Sequence, residues 1–297
     1  MSAILPLSTH PIVINWHVTE ACNFRCRYCY AEWDRSPGAD LIQDPMRTRL
    51  LLESVHEAFK TMGSGHPRLN FAGGEPLLLE RRLLPTMRVA REVGFDVSLI
   101  TNGSRLDDRL TASLAPLISL LGLSIDASRP EVLAQIGRQD SRGRQVELGT
   151  LARHVALARR INPDLQLKVN TVVCSANANE DLSGVIRSMS PHRWKVLRML
   201  PAIGRRLHVS DEGFRAFVAR HHALRAVMTV EDNDDMRGSY IMIDPSGRFF
   251  QNRTGTTGYD YSPPIPEVGA QEAFRRVGWS AVKFMGRYTR QHAKGAA

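Results

Sequence analysis

The segment Cys22-Asn-Phe-Arg-Cys26-Arg-Tyr-Cys29-Tyr30 constrains this chain more than any other. Three cysteines stand close together, separated by three and then two residues, and an aromatic residue follows the last. The sequence holds one further cysteine, Cys174. Three thiolates can bind three irons of a four-iron cluster and leave the fourth iron open to a second molecule. A structural zinc site wants four ligands, and no neighbouring His or Cys completes a set. Disulfide pairing would leave one of the three unmatched. The motif follows an apolar run, Pro11-Ile-Val-Ile-Asn-Trp-His-Val18. It therefore sits on the loop leaving a first β-strand, where parallel α/β barrels carry their chemistry.

Apolar, β-branched runs then alternate with helical patterns. The runs predict strands at Pro11–Val18, Arg68–Phe71, Asp96–Thr101, Leu120–Ile125, Gln166–Val173 and Lys195–Leu200. Helices are predicted at Arg47–Met62, Leu83–Val93, Val146–Arg160 and Glu180–Met189. Such repeats read as parallel βα units, and six are too few for a closed eight-stranded barrel. The last third differs. Asp211–Val227 reads as a helix. Ser239–Asp244 and Arg248–Gln251 read as short strands about the turn at Pro245-Ser-Gly247. The stretch Asn252–Pro266 reads as a loop, and Gln271–Val277 and Ala281–Arg287 as closing helices. The expected fold is α/β: a partial (β/α)6 barrel over residues 1–205, with a C-terminal extension over 206–297 covering its mouth and closing the active site.

After the second strand comes Asn70-Phe-Ala-Gly73-Gly74-Glu75-Pro76. Thr101-Asn102-Gly103 follows the third strand and Ser124-Ile-Asp126 the fourth. Together with the cysteine spacing, these motifs at successive strand ends resemble the radical S-adenosylmethionine (SAM) superfamily. That resemblance implies a [4Fe–4S] cluster on Cys22, Cys26 and Cys29, with SAM chelating the open iron. It implies SAM contacts from Tyr30, Gly73, Gly74, Glu75, Asn102, Ser124 and Asp126, and from Arg138 toward the SAM carboxylate.

Longer segments narrow the likeness. Ile136-Gly-Arg138, Leu167-Lys-Val-Asn170, Pro191-His-Arg193-Trp194-Lys195-Val196, Glu231-Asp-Asn233 and Ser239-Tyr240-Ile-Met-Ile-Asp244 resemble the viperin family in its prokaryotic form. The resemblance is collinear from about residue 11 to 290. It implies conversion of a ribonucleoside triphosphate (CTP, UTP or GTP) to its 3′-deoxy-3′,4′-didehydro analogue, an antiviral terminator of polymerase extension. SAM is then a cosubstrate, and a reductase of flavodoxin or ferredoxin type supplies electrons. Lys168 and Lys195 lie in strands that would point inward, where a lysine is rarely present for packing. They are the first candidates for the triphosphate, with Arg68 and Arg193 beside them. Asn15, Asn70 and Asn170 are candidates for ribose, base or phosphate oxygens. Tyr240 is the candidate for proton or electron delivery near the ribose. The chain departs from the family in Ala72 for Ser, in Arg68 for Lys, and in a segment at 253–264 without the family's lysines.

Composition sets outer bounds. No run approaches a membrane span, and the N-terminus lacks the basic and apolar regions of a secretory signal. Without the amphipathic helix of animal viperins, no membrane partner is expected. The terminal Lys-Gly-Ala-Ala lacks their final tryptophan. Iron-binding thiols argue for a reducing compartment, so a cytoplasmic protein is expected. The net charge of +9 suits a polyanionic partner. With 7% aromatic residues and no basic–aromatic RNA motif, a small polyanion ranks above nucleic acid. Two alternatives stand beside this reading: another single-cluster radical SAM enzyme with a different substrate, and a non-catalytic iron–sulfur regulator that binds nucleotides.

Overall fold

The first strand shows how the sheet divides its two faces. In β1 (Val13–His17), Ile14 and Trp16 are fully buried in a core shared with Leu51, Leu52 and Val55. Asn15 and His17 face a central cavity instead. Each large apolar side chain buried in this way contributes about 1.5–3 kcal/mol relative to exposure. The structure is a computed structural model and describes residues 11–32, 40–63, 65–202, 206–253 and 256–293, with backbone alone from 288 onward. The expectations drawn from the first residues and from the terminal Lys-Gly-Ala-Ala lie outside the described residues.

β2 (Arg68–Ala72), β3 (Asp96–Thr101), β4 (Leu120–Ser124), β5 (Gln166–Val173) and β6 (Arg193–Arg198) follow in order. Each is parallel to the one before. The helices α1 (Pro45–Phe59), α2 (Glu80–Val93), α3 (Asp108–Leu114), α4 (Pro130–Ile136), α5 (Leu148–Ile161) and α6 (Ser183–Met189) connect them. Asp44 starts α1 by accepting from the amides of Met46 and Arg47, with Pro45 at the first helical position. The alternating strands and helices form the partial barrel expected from the sequence.

The last third extends this sheet at both edges. α7 (Asp211–Arg220) leads to β7 (Met228–Glu231), which pairs parallel with β6. After α8 (Asn233–Met236), β8 (Ile241–Ile243) pairs parallel with β1 at the other edge. β9 (Arg248–Asn252) and β10 (Tyr259–Pro264) continue antiparallel from there. α9 (Ile265–Val268), α10 (Ala270–Arg275) and α11 (Ala281–Ala293) complete the described chain. The sheet order is β10-β9-β8-β1-β2-β3-β4-β5-β6-β7, with β10 and β7 as its edges; the parallel run from β8 through β1 to β7 stays open, because β7 and β8 do not pair. Phe59, Phe249 and Phe274 pack edge to face at 5.0–6.1 Å and bind α1, β9 and α10 together.

Three expectations need correction, and one strand went unforeseen. The helix read over Asp211–Val227 stops at Arg220, because buried His221 turns the chain by taking the Leu182 amide on Nε2. β7 was not foreseen. The stretch read as a loop contains β10, whose Pro263 and Pro264 are tolerated at a sheet edge. Finally, β6 begins at Arg193, two residues earlier than the apolar run suggests.

Candidate active site

The cysteine loop is built by backbone bonds to two neighbours. Gly74 N and Glu75 N donate to the carbonyls of Thr19 and Ala21 at 2.7 and 2.8 Å. A Cβ on Gly74 would lie 2.3 Å from the Ala21 oxygen, and one on Gly73 2.5 Å from that of Thr19. Only glycine permits the approach. On the other side, Arg25 N and Arg27 N donate to Gly137 O and Ile136 O at the end of α4. Held this way, Cys22, Cys26 and Cys29 line one cavity of about 270 Å³. Burial raises all three thiols, that of Cys26 to about 12. A cationic cluster would reverse this and keep them as thiolates. Among the described residues, no group of three His, Cys, Asp or Glu converges on a single metal ion. The three thiols therefore fit a cluster better than zinc.

The ends of β2 to β5 form one wall. Glu75 is fully buried behind it and does not line the cavity, contrary to its expected SAM contact. Its carboxylate accepts from Thr101 Oγ1, Asn102 N and Leu77 N at 2.7–3.0 Å, so it fixes the turn carrying Asn102. Asn102 Nδ2 donates to Asn23 Oδ1 and approaches Cys22 Sγ at 3.9 Å. Asp126 pairs with Arg138 at 2.9 Å and accepts from Tyr28 Oη and Val172 N. Arg138 also donates to Ser124 O at 2.7 Å. Both line the cavity, but Arg138 already has a carboxylate partner. Tyr30 lines it too, and its carbonyl accepts from Tyr259 of β10.

A polar layer crosses the floor. Register aligns Asn15, Asn70 and Ser98 on β1, β2 and β3. Ser98 Oγ donates to Asn70 Oδ1, Asn70 Nδ2 to Asn15 Oδ1, and Asn15 Nδ2 to Ile241 O, at 2.9, 2.9 and 3.2 Å. Among the described residues, Asn170 Oδ1 is buried without a hydrogen-bond partner, which makes it an unused acceptor on the cavity lining. Buried His17, with its pKa lowered to about 3, is a neutral neighbour that sequence reasoning missed.

The cations gather opposite. Lys195 Nζ pairs with Glu231 Oε1 at 2.8 Å and donates to Tyr240 Oη, which donates to Glu231 Oε2. Arg287 reaches the same carboxylate at 3.2 Å and stacks 3.7 Å from the Tyr240 ring centre. Burial lowers Lys195 to about 8 against the opposing pull of Glu231. Burial would raise Glu231, yet Lys195 and Arg287 hold it near 2. Lys168 lines the cavity without a hydrogen bond or ion pair among the described residues. Burial pulls its amine well below the ordinary value, with Lys195, Arg193 and Arg287 adding to the shift. Glu231 stood out in sequence only within Glu231-Asp-Asn233 and was given no role, and Arg287 was not a candidate. A four-residue strand and a C-terminal helix carry no local sign of convergence.

Two expected cations stand elsewhere. Arg68 opens β2 at the end remote from the cysteines and pairs with Asp96 at 2.6 Å. Arg193 opens β6 beside Lys168 and does not line the cavity. Strands point inward along their whole length, so residue type alone does not tell the mouth from the base. Buried Arg198, held by Asp211 and Asp232, lines the cavity instead.

A parallel barrel with three cysteines on its first loop and a cavity behind them carrying a few convergent polar and cationic groups defines a radical SAM enzyme. Residues 16–173 match the Radical SAM superfamily. Solved structures agree on the fold. anSMEcpe with bound AdoMet has a TM-score of 0.65 at 16% identity, covering 89% of this chain and 77% of that one. Coproporphyrinogen III oxidase (HemN) from Escherichia coli has a TM-score of 0.58 at 12% identity, covering 97% and 76%. Closer relatives carry the name S-adenosylmethionine-dependent nucleotide dehydratase. That from Psychrobacter lutiphocae is 37% identical over 290 residues, covering 96% of this chain and 97% of its own. That from Pseudoalteromonas ulvae is 37% identical over 293 residues, covering 96% and 95%. The chain belongs to this family of viperin-like nucleotide dehydratases, which work with a [4Fe–4S] cluster and SAM. No helix among the described residues is long and apolar enough to cross a membrane.

Proposed function

We propose that the enzyme converts a ribonucleoside triphosphate to its 3′-deoxy-3′,4′-didehydro analogue, with CTP, UTP and GTP as the candidates and a chain terminator as product. The single observation carrying this reading is the asymmetry of the cavity. Cysteines and SAM-type strand ends occupy one side, while Lys168 and the Lys195–Tyr240–Glu231 cluster occupy the other. When bound, the cluster and SAM supply the electron and the 5′-deoxyadenosyl radical that removes the ribose C4′ hydrogen. Cys22, Cys26 and Cys29 would hold the cluster, and Asn102, Ser124 and Arg138 would orient SAM.

Lys168 and Lys195 would take the phosphates, because a triphosphate needs several cations at close range. Asn15, Asn70 and Asn170 would orient the sugar and base through amide hydrogen bonds. Tyr240 holds a proton shared with Lys195 and Glu231, and is our candidate for its delivery as the 3′-hydroxyl leaves as water. The test is anaerobic turnover of the reconstituted enzyme with dithionite and SAM, offering CTP, UTP, GTP and ATP separately. The expected result is base-selective 5′-deoxyadenosine release with a nucleotide lighter by one water. Slow SAM cleavage indifferent to nucleotide would overturn the substrate assignment.

A further inference from the structure

A second concavity lies on the outer side of the cysteine loop. Arg25, Arg27, Arg105, Arg142 and Arg144 line it against a single carboxylate, Asp140. Asp140 is taken up by Arg144 at 2.7 Å and by the Arg142 amide at 2.9 Å. Among the described residues, the Arg25 side chain bonds only the carbonyls of Cys22 and Phe24, which do not cancel its charge. The side chains of Arg27, Arg105 and Arg142 are exposed and make no hydrogen bond or ion pair among the described residues. Five arginines crowded into one hollow repel one another, and nothing in the core requires them there.

The position of this hollow matters as much as its charge. Cys22 lines both the hollow and the central cavity. One cysteine thus separates solvent on the basic side from the SAM and substrate side. Gly137 walls the hollow and accepts from Arg25 N, which keeps the loop thin at this point. An electron delivered here would reach a cluster on Cys22 by a short path, without entering the substrate cavity.

We propose that this arginine-lined hollow is the docking face for an acidic one-electron carrier protein. The inference rests on the cluster assignment above. In the step it serves, the carrier's flavin hydroquinone gives up one electron and becomes the semiquinone, and the cluster passes from the [4Fe–4S]2+ to the [4Fe–4S]1+ state. Complementary charge raises the rate of such encounters by about 10 to 1,000-fold and is screened by salt.

The test uses the intact enzyme, an acidic flavodoxin and the double variant Arg105→Glu/Arg142→Glu, neither residue being part of the substrate or SAM site. Calorimetric titration measures flavodoxin binding at low and high ionic strength, and stopped-flow absorbance measures cluster reduction by the flavodoxin hydroquinone. The parent should bind in a salt-sensitive manner, and the variant should lose about tenfold or more in both affinity and reduction rate. Dithionite-driven 5′-deoxyadenosine formation should stay within about twofold, because a small donor needs no docking face. Absence of parent binding, equal binding by the variant, or a matching loss with dithionite would overturn the proposal. Normal docking and cluster reduction without a dehydrated nucleotide would leave the docking face standing and sink the substrate assignment instead.

Discussion

Glu231 is the residue on which the cationic side of the cavity depends. It is buried, and it is the shared partner of Lys195, Tyr240 and Arg287. Its pairing contributes stability fully above its ordinary pKa of 4.5, and that contribution is lost as pH falls toward the folded value near 2. Glu231→Gln leaves two buried cations uncompensated, so denaturant unfolding should show a loss of about 3–5 kcal/mol at neutral pH. Lys195 gives a second expectation. With its pKa near 8, it loses its charge just above neutrality, and KM for the triphosphate should rise by up to about tenfold per pH unit beyond that point. Lys195→Met should raise KM at neutral pH and flatten that limb. The same protonation makes nucleotide binding at pH 8 take up protons, which buffer-dependent heats of binding would register. The sequence exposed Lys195 because a lysine inside an apolar run stands out. The role of Glu231 stayed hidden because the four residues of Met-Thr-Val-Glu, in a short edge strand, carry no sign of the lysine and tyrosine they meet.

Among the elements, α4 does the most for the cysteine loop. Its end at Gly137 adopts φ +87° and turns Arg138 into the cavity while its carbonyls hold the loop from outside. A Cβ on Gly137 would lie 2.2 Å from Arg25 O. Gly137→Ala should therefore displace the loop and lose most of the bound iron, read as iron and sulfide per chain after reconstitution. Gly143 supplies the control. Its φ is +74°, yet nothing lies within 4 Å of an added Cβ. Gly143→Ala should cost only the local strain of about 1 kcal/mol and keep its iron. If both variants lost iron equally, strain rather than contact would be the cause. Element by element, β1 to β6 were legible because short apolar runs recur between helical patterns, with Val, Ile and Thr marking β1, β3 and β5. α3 and α4 have seven residues each, too few to show a helical period. β10 was concealed by Pro263 and Pro264, which an edge strand accepts and a central strand does not.

For the molecule as a whole, the unpaired seam between β7 and β8 is the decisive feature. A parallel sheet that stops short of closure leaves a gap where backbone bonds would otherwise run. Side chains cross it instead. Glu231 on β7 accepts from Tyr240 beside β8, and Arg287 of α11 donates to Ser239 O at 2.9 Å while pairing with Glu231. α11 is anchored by Phe284, which is fully buried, and the Ser280 amide donates to Gly238 O just before the helix. The end of the chain thus sets the charge balance of a site whose cysteines lie near its beginning. This long-range link is the part no local pattern could reveal. It makes a prediction opposite in sign to that for Glu231. Arg287 lowers the pKa of Lys195, whereas Glu231 raises it. Arg287→Met should move the alkaline limb of the KM profile to higher pH, and Glu231→Gln should move it to lower pH. At neutral pH, Arg287→Met should still bind the proposed triphosphate more weakly, because one cation beside Lys195 is gone. Profiles of the parent and both variants, fitted for KM against pH, would measure the two shifts together. Shifts in the same direction would show that Lys195 does not govern the limb, and the seam would then be a structural closure alone.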